Sequence, residues 1–105
     1  MTVIHRIRLR NWPAAPTEHG TIVFTRAFGA PQTLDPEESV WLVCEQAPAN
    51  GSVTLNSQLL GTMVEGNPFA TDITTLFQAR NLASVEVQVS KSCELEEMVL
   101  EFRKG

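Results

Sequence analysis

Tyrosine is absent, cysteine occurs only twice, and no apolar run approaches the ~20 residues of a membrane-spanning helix. Two cysteines, Cys44 and Cys93, do not make a disulfide framework. Cys44 follows Val40-Trp41-Leu42-Val43 and reads as a small buried hydrophobe, with a single bridge to Cys93 left open. Zinc needs about four ligands at suitable spacing, which two cysteines and the distant His5 and His19 do not supply. No metal and no cofactor is therefore expected. Residues Met1 to Arg10 lack the apolar stretch of a signal peptide, so the expected location is cytoplasmic, with no membrane association. Basic residues are also few: eight against twelve acidic ones give a formal charge of −4, which argues against a nucleic-acid partner. The local exception is Arg6, Arg8 and Arg10, whose spacing puts all three on one face of a strand. They read as a solvated outer face, with an anion or acidic-partner patch as the alternative.

Constellations that carry catalysis are missing as well. Glu37, Glu38, Glu94, Glu96 and Glu97 lie in charge runs that solvation explains, rather than as a pair facing one sugar. No nucleophile-elbow pattern accompanies either histidine, and Gly61 and Gly66 are isolated turn glycines that cannot cradle a phosphate. His5 reads as a hydrogen-bonded core or rim residue. The expectation is a protein that is not an enzyme.

What is present is alternation. The 105 residues suffice for one domain, read here as spanning 1–105, and the 43% hydrophobic and 19% charged fractions are those of a globular protein. Val3, His5, Ile7 and Leu9 oppose the arginines of the first strand, while Asn11 to Pro16, with two prolines, reads as a loop carrying Trp12. Further strands are predicted at Thr21 to Phe28, Val40 to Glu45, Ser52 to Asn56, Leu59 to Met63, Phe69 to Ile73, Leu82 to Val89 and Met98 to Phe102. Val40 to Glu45 reads as central, with Trp41 in the core. Asn50-Gly51 is a hairpin signal, Asn56-Ser57 a weaker turn. Leu76 and Phe77 are expected in one short helical or 3₁₀ turn capped by Asp72 or Thr74. The fold class is all-β: an antiparallel two-sheet sandwich of about 7–8 strands with one short helical turn.

Five segments then carry a resemblance. They are Arg26-Ala-Phe-Gly-Ala-Pro, Val40-Trp-Leu-Val-Cys-Glu, Val53-Thr-Leu-Asn-Ser-Gln-Leu-Leu-Gly, Pro68-Phe-Ala-Thr-Asp-Ile-Thr-Thr-Leu and Asn81-Leu-Ala-Ser-Val-Glu-Val-Gln-Val. In this order they resemble the sugar-binding domain of family-2 glycoside hydrolases such as β-galactosidase and β-glucuronidase, a galactose-binding-domain-like jelly roll. The resemblance implies a jelly-roll sandwich in which the shared positions determine the fold. Where the family's hairpin tip is usually Asn-Gly, this chain has Asn56-Ser57, which leaves the turn type open. In those hydrolases the catalytic acids lie in a separate barrel domain, so the resemblance implies no activity for this chain.

Two functional expectations follow. The first is a non-catalytic interaction or structural module, serving an unknown protein partner or self-association. The alternative is a carbohydrate-binding module at an end loop: Asn11 and Trp12, helped by His19 or Asn67. Trp12 is the one aromatic expected near the surface, unless it folds over the open end of the sandwich and plugs it.

Overall fold

The computed structural model describes residues 2–30, 33–88 and 94–105. Among these residues nine strands are formed: β1 (Thr2–Arg10), β2 (Ala14–Pro16), β3 (Thr21–Gly29), β4 (Glu38–Cys44), β5 (Gly51–Leu55), β6 (Gln58–Met63), β7 (Phe69–Asp72), β8 (Arg80–Gln88) and β9 (Glu97–Lys104). They make a four-stranded sheet in the order β1-β9-β4-β7 and a five-stranded sheet in the order β2-β3-β8-β5-β6, with all pairings antiparallel.

Set β2 aside and the connectivity is that of a folded ribbon. The first strand pairs with the last (β1·β9), the next inward pair is β3·β8, then β4·β7, and β5·β6 is the closed tip. Successive pairs fall in alternate sheets, which is the eight-stranded jelly roll. The extra strand explains why nine are found where seven or eight were expected. Pro13 and Pro16 stop β2 from joining the interior of a sheet, yet it pairs with β3 as a three-residue edge strand, where a missing N–H is harmless.

The core lies between the sheets. Val40, Leu42, Val53, Leu55, Ile73, Val85, Val87, Met98, Leu100 and Phe102 are at most 1% exposed. Alternation carries them inward, as in β8, where Ala83, Val85 and Val87 are buried while Leu82, Glu86 and Gln88 are exposed. Cys44 also faces the core; Cys93 and Val89 lie outside the described residues.

Two sequence readings, Asn50-Gly51 and Trp41, are corrected. Asn50-Gly51 closes no hairpin: β4 and β5 belong to different sheets, and Gly51 instead lets β5 approach β8, where a Cβ would sit 2.6 Å from the Glu86 carbonyl oxygen. Trp41 is half-buried on the outer face of β4, because β4 alternates like its neighbours. His5 takes the rim of the two places expected for it and is exposed there, its ring centroid 5.8 Å from that of Phe102. Residues 73–77 form the single capped turn expected there, not extended into a helix: Leu76 and Phe77 N–H both donate to Ile73 O at 2.9 Å, and Asp72 Oδ1 accepts from Thr74 N at 2.9 Å.

The open turn type is answered at Asn56 and Ser57, whose φ values of 51° and 70° are both left-handed. That is the type I′ hairpin geometry, with serine in the place that usually favours glycine. Asn56 pays part of the strain back in hydrogen bonds. Its Nδ2 donates to Leu76 O and to Asn81 Oδ1, and its Oδ1 accepts from Leu82 N.

Candidate functional site

The end of the sandwich beside Asn11 was the expected ligand site. Asn11 ends β1 with φ 63°, a left-handed conformation that asparagine tolerates. The chain turns back on itself there, and the Trp12 indole N–H donates to Leu9 O at 2.8 Å. Trp12 is thereby only 7% exposed and belongs to the core cluster. It plugs the end of the sandwich and offers no free ring face, which corrects the expectation of a surface aromatic.

A cleft of about 520 Å³ remains beside it, lined by Asn11, Trp12, Ala14, Phe24, Glu94, Leu95 and Glu96. A neighbouring hollow shares Asn11 and Glu96 and adds Arg10 and Glu97, which are ion-paired at 3.0 Å. The floor is apolar and the rim acidic. Such a rim can hydrogen-bond hydroxyl groups, but it lacks the aromatic plate on which a pyranose stacks. The structure brings Asn11 and Trp12 together and keeps the other two residues apart from them. His19 is exposed in the β2–β3 turn, with its N–H donating to Thr17 Oγ1. Asn67 lies in the β6–β7 turn, where its carbonyl accepts from Ala47 N. Neither lines the cleft.

The arginines on β1 are organised by a residue that the sequence reading passed over. Glu101 of β9 stands between Arg6 and Trp41 in register, on the outer face of the four-stranded sheet. Its carboxylate accepts from Arg6 Nε at 3.0 Å and from Arg103 Nε at 2.7 Å, and it is 5% exposed despite facing outward. The Arg103 guanidinium lies 4.1 Å from the Trp41 ring centroid, over its face. Arg6 and Arg10 are thus not free cations: each is paired to a carboxylate of β9, Glu101 and Glu97. The readable signal was the Glu101/Arg103 alternation on the last strand, facing the arginine alternation on the first.

The outer face of the five-stranded sheet is different in kind. One row across it is Thr25, Ser84, Thr54 and Leu59, and the next is Ala15, Val23, Glu86, Ser52 and Thr62. Thr54 and Ser84 hydroxyls bond to each other, and Thr21 Oγ1 donates to Glu86 at 2.7 Å. Leu59 and Leu82 are 69% and 51% exposed on this side. The face is rich in hydroxyls, with Arg80 and Glu86 its charged residues on β8.

Two positions of the resemblance, Arg26 and Asn81, make hydrogen bonds that tie strands and turns together. Arg26 Nε donates to Arg10 O, tying β3 to the end of β1. Asn81 is 4% exposed and joins Phe28 O, Gln78 N and O and Asn56 Nδ2. Among the described residues no buried side-chain polar atom lacks a hydrogen-bond partner, and no group of three or more His, Cys, Asp or Glu is placed to hold a metal. Among the same residues no helix is long and apolar enough to cross a membrane.

No family model and no curated protein matches the chain. Solved structures do. The chain is similar to a β-glucuronidase of Bifidobacterium dentium, described in complex with coumarin-3-O-glucuronide, at 35% identity over 66% of this chain and 12% of that one, with a TM-score of 0.58. It is similar to an FMN-binding β-glucuronidase of Faecalibacterium prausnitzii L2-6 at 16% identity, covering 94% of this chain and 23% of that one, with a TM-score of 0.69. A glycosyl hydrolase family 2 member from Bacteroides cellulosilyticus DSM 14838 matches at 19% identity over 81% and 13% of the two chains, with a TM-score of 0.63. The structural neighbours are thus family-2 glycoside hydrolases, as the resemblance implied, and the chain spans 12% to 23% of the length of these three.

Proposed function

We propose that this chain is a non-catalytic β-sandwich module whose role is to pack against protein, in the manner of an accessory domain of a family-2 glycoside hydrolase. The observation that carries the reading is the outer face of the five-stranded sheet. Hydroxyl-bearing and small side chains make up much of it, Glu86 already has a hydrogen-bond partner, and Leu59 and Leu82 are exposed on it. A surface that is cheap to desolvate and displays large apolar groups suits contact with another polypeptide better than contact with water. The alternative, a carbohydrate module, is supported by the acid-rimmed cleft at Asn11. It is opposed by Trp12, whose indole is packed in the core and bonded to Leu9 O.

A thermal-shift screen of mono- and oligosaccharides, with glucuronides and galactosides included, separates the two. The expected result is no sugar-dependent rise in melting temperature, together with no hydrolysis of aryl glycosides by the chain alone. A reproducible rise that disappears in Trp12→Ala, and is also weakened by the surface change Glu96→Gln, overturns the module reading in favour of the carbohydrate one.

A further inference from the structure

We infer that the free edge of β1 is a docking site for an extended acidic segment of a partner polypeptide, which adds beside it as a further strand. This rests on the reading of the chain as a protein-packing module and gives that module a second contact of defined chemistry.

The first observation is the edge itself. Among the described residues β1 ends the four-stranded sheet and pairs with β9 alone, so its other side presents N–H and C=O groups that no strand meets, except at its end, where Leu9 O accepts from Trp12 and Arg10 O from Arg26. The remaining edges are poorer templates. β2 has three residues and ends at Pro16, β7 has four, and β6 is interrupted by a register shift within its pairing to β5. β1 has nine residues, and its own irregularity, between Val3 and His5, leaves a regular run from His5 to Arg10. Six residues give an edge about 20 Å long, enough for strand addition.

The second observation is charge. Arg6, Arg8 and Arg10 point to the outer face, and the side chains of Arg6 and Arg10 stay 59% and 62% exposed even while paired. Arg8 lies in register with Val99 and, one strand further, Val43, and it has no ion-pair partner among the described residues. A cation over two valines at the rim of an open edge is met best by a carboxylate on the incoming strand. On the inner face the same strand would continue the apolar layer of the half-buried Ile7 and the buried Leu9. The fitting segment therefore alternates carboxylates with apolar residues.

A second copy of the chain does not fit. Residues directly opposite in antiparallel strands share a face, so every symmetric pairing of β1 with itself centred from Arg6 to Arg10 sets arginine against arginine, and like charges opposed in this way are destabilising.

The probe is a synthetic peptide alternating glutamate with valine and threonine, titrated into the isotopically labelled chain and followed by amide chemical shifts. Expected are shifts confined to β1 and its β9 neighbour, weakening as salt rises. The Arg8→Ala variant should bind about fivefold more weakly, the size of one exposed ion pair, and Arg8→Glu should bind less still. Both variants alter an exposed, unpaired side chain, and their unchanged spectra without peptide would show intact folding. The proposal is overturned by equal binding of a lysine-for-glutamate peptide, by equal binding of a peptide N-methylated at alternate positions, by shifts that map elsewhere, or by no binding at millimolar peptide. Any of these leaves the module reading standing, whereas a sugar-dependent melting rise removes that reading and leaves the β1 titration to be judged on its own result.

Discussion

Replacing Asn81 by alanine should be among the most damaging single changes in this chain. Its side chain makes three bonds of good length: Oδ1 accepts from Gln78 N at 2.9 Å and from Asn56 Nδ2 at 3.1 Å, and Nδ2 donates to Gln78 O at 2.8 Å. A fourth, to Phe28 O, is 3.5 Å long and counts for little. With Asn81 only 4% exposed, water cannot readily replace these partners. At about 1 kcal/mol per bond the loss comes to ~3 kcal/mol, more if the orphaned groups stay dry. For a domain of this size that is a fall in melting temperature of roughly 12–24 °C. In urea it is a midpoint lowered by about 1–3 M, with the slope unchanged. Equilibrium urea unfolding, followed by tryptophan fluorescence, measures both quantities. Asn81→Leu is the decisive companion, since it fills the space without offering a polar atom. If leucine restores most of the stability, the cost lay in volume and the hydrogen-bond reasoning is refuted. A double-mutant cycle with Asn56→Ala should show a coupling of about 0.5–3 kcal/mol, because the two amides bond directly.

Two further outcomes are expected. Gly51→Ala forces a Cβ to 2.6 Å from Glu86 O and 2.7 Å from Val87 Cγ1, and should cost about 1–3 kcal/mol, while Gly61→Ala, whose nearest neighbour is a Phe69 ring carbon at 3.4 Å, should cost far less in the same unfolding assay. Burial pushes the Cys44 thiol up from its ordinary value, so in a Cys93→Ser background it should resist a thiol reagent until the chain unfolds; the stability owed to the neutral thiol is complete below the ordinary thiol range and is lost as pH rises through it, and rapid reaction of the native protein would refute the assignment.

The sequence was most readable where one face of a strand is wet. β8 and β9 alternate because one side of each meets the core and the other meets solvent or long polar side chains, and the inward Val85 and Val87 of the one and Met98, Leu100 and Phe102 of the other were read correctly. Trp41 was misread for the opposite reason. Its neighbours are all apolar, so alternation gave no signal, and what covers the ring is Arg103, a residue far away in sequence. Glu101 shows the same limit, since a carboxylate on a strand reads as solvated until two arginines are known to lie over it. Trp12 looked exposed because a proline-flanked loop normally is. The left-handed turn at Asn11, which folds the indole back onto Leu9, leaves no periodic trace. Asn56 and Asn81 were recognisable as shared with a family, yet their hydrogen bond to each other, across the hairpin and β8, is a tertiary fact.

The nested ribbon also has a consequence for how the chain reaches this state. Its outermost pair joins Thr2 to Lys104, and the next inward joins Thr21 to Gln88, so most pairings close very long loops. Only the β5–β6 tip, with its two-residue turn at Asn56 and Ser57, and the short β2–β3 edge pair join residues near in sequence. Topologies so dominated by distant contacts fold slowly, on the millisecond-to-second scale. During synthesis β1, with its arginines and no carboxylates yet beside them, must wait unpaired until nearly the whole chain has emerged. The positive charge that marks this strand in the finished protein would then also keep it from sticking to its neighbours while it waits.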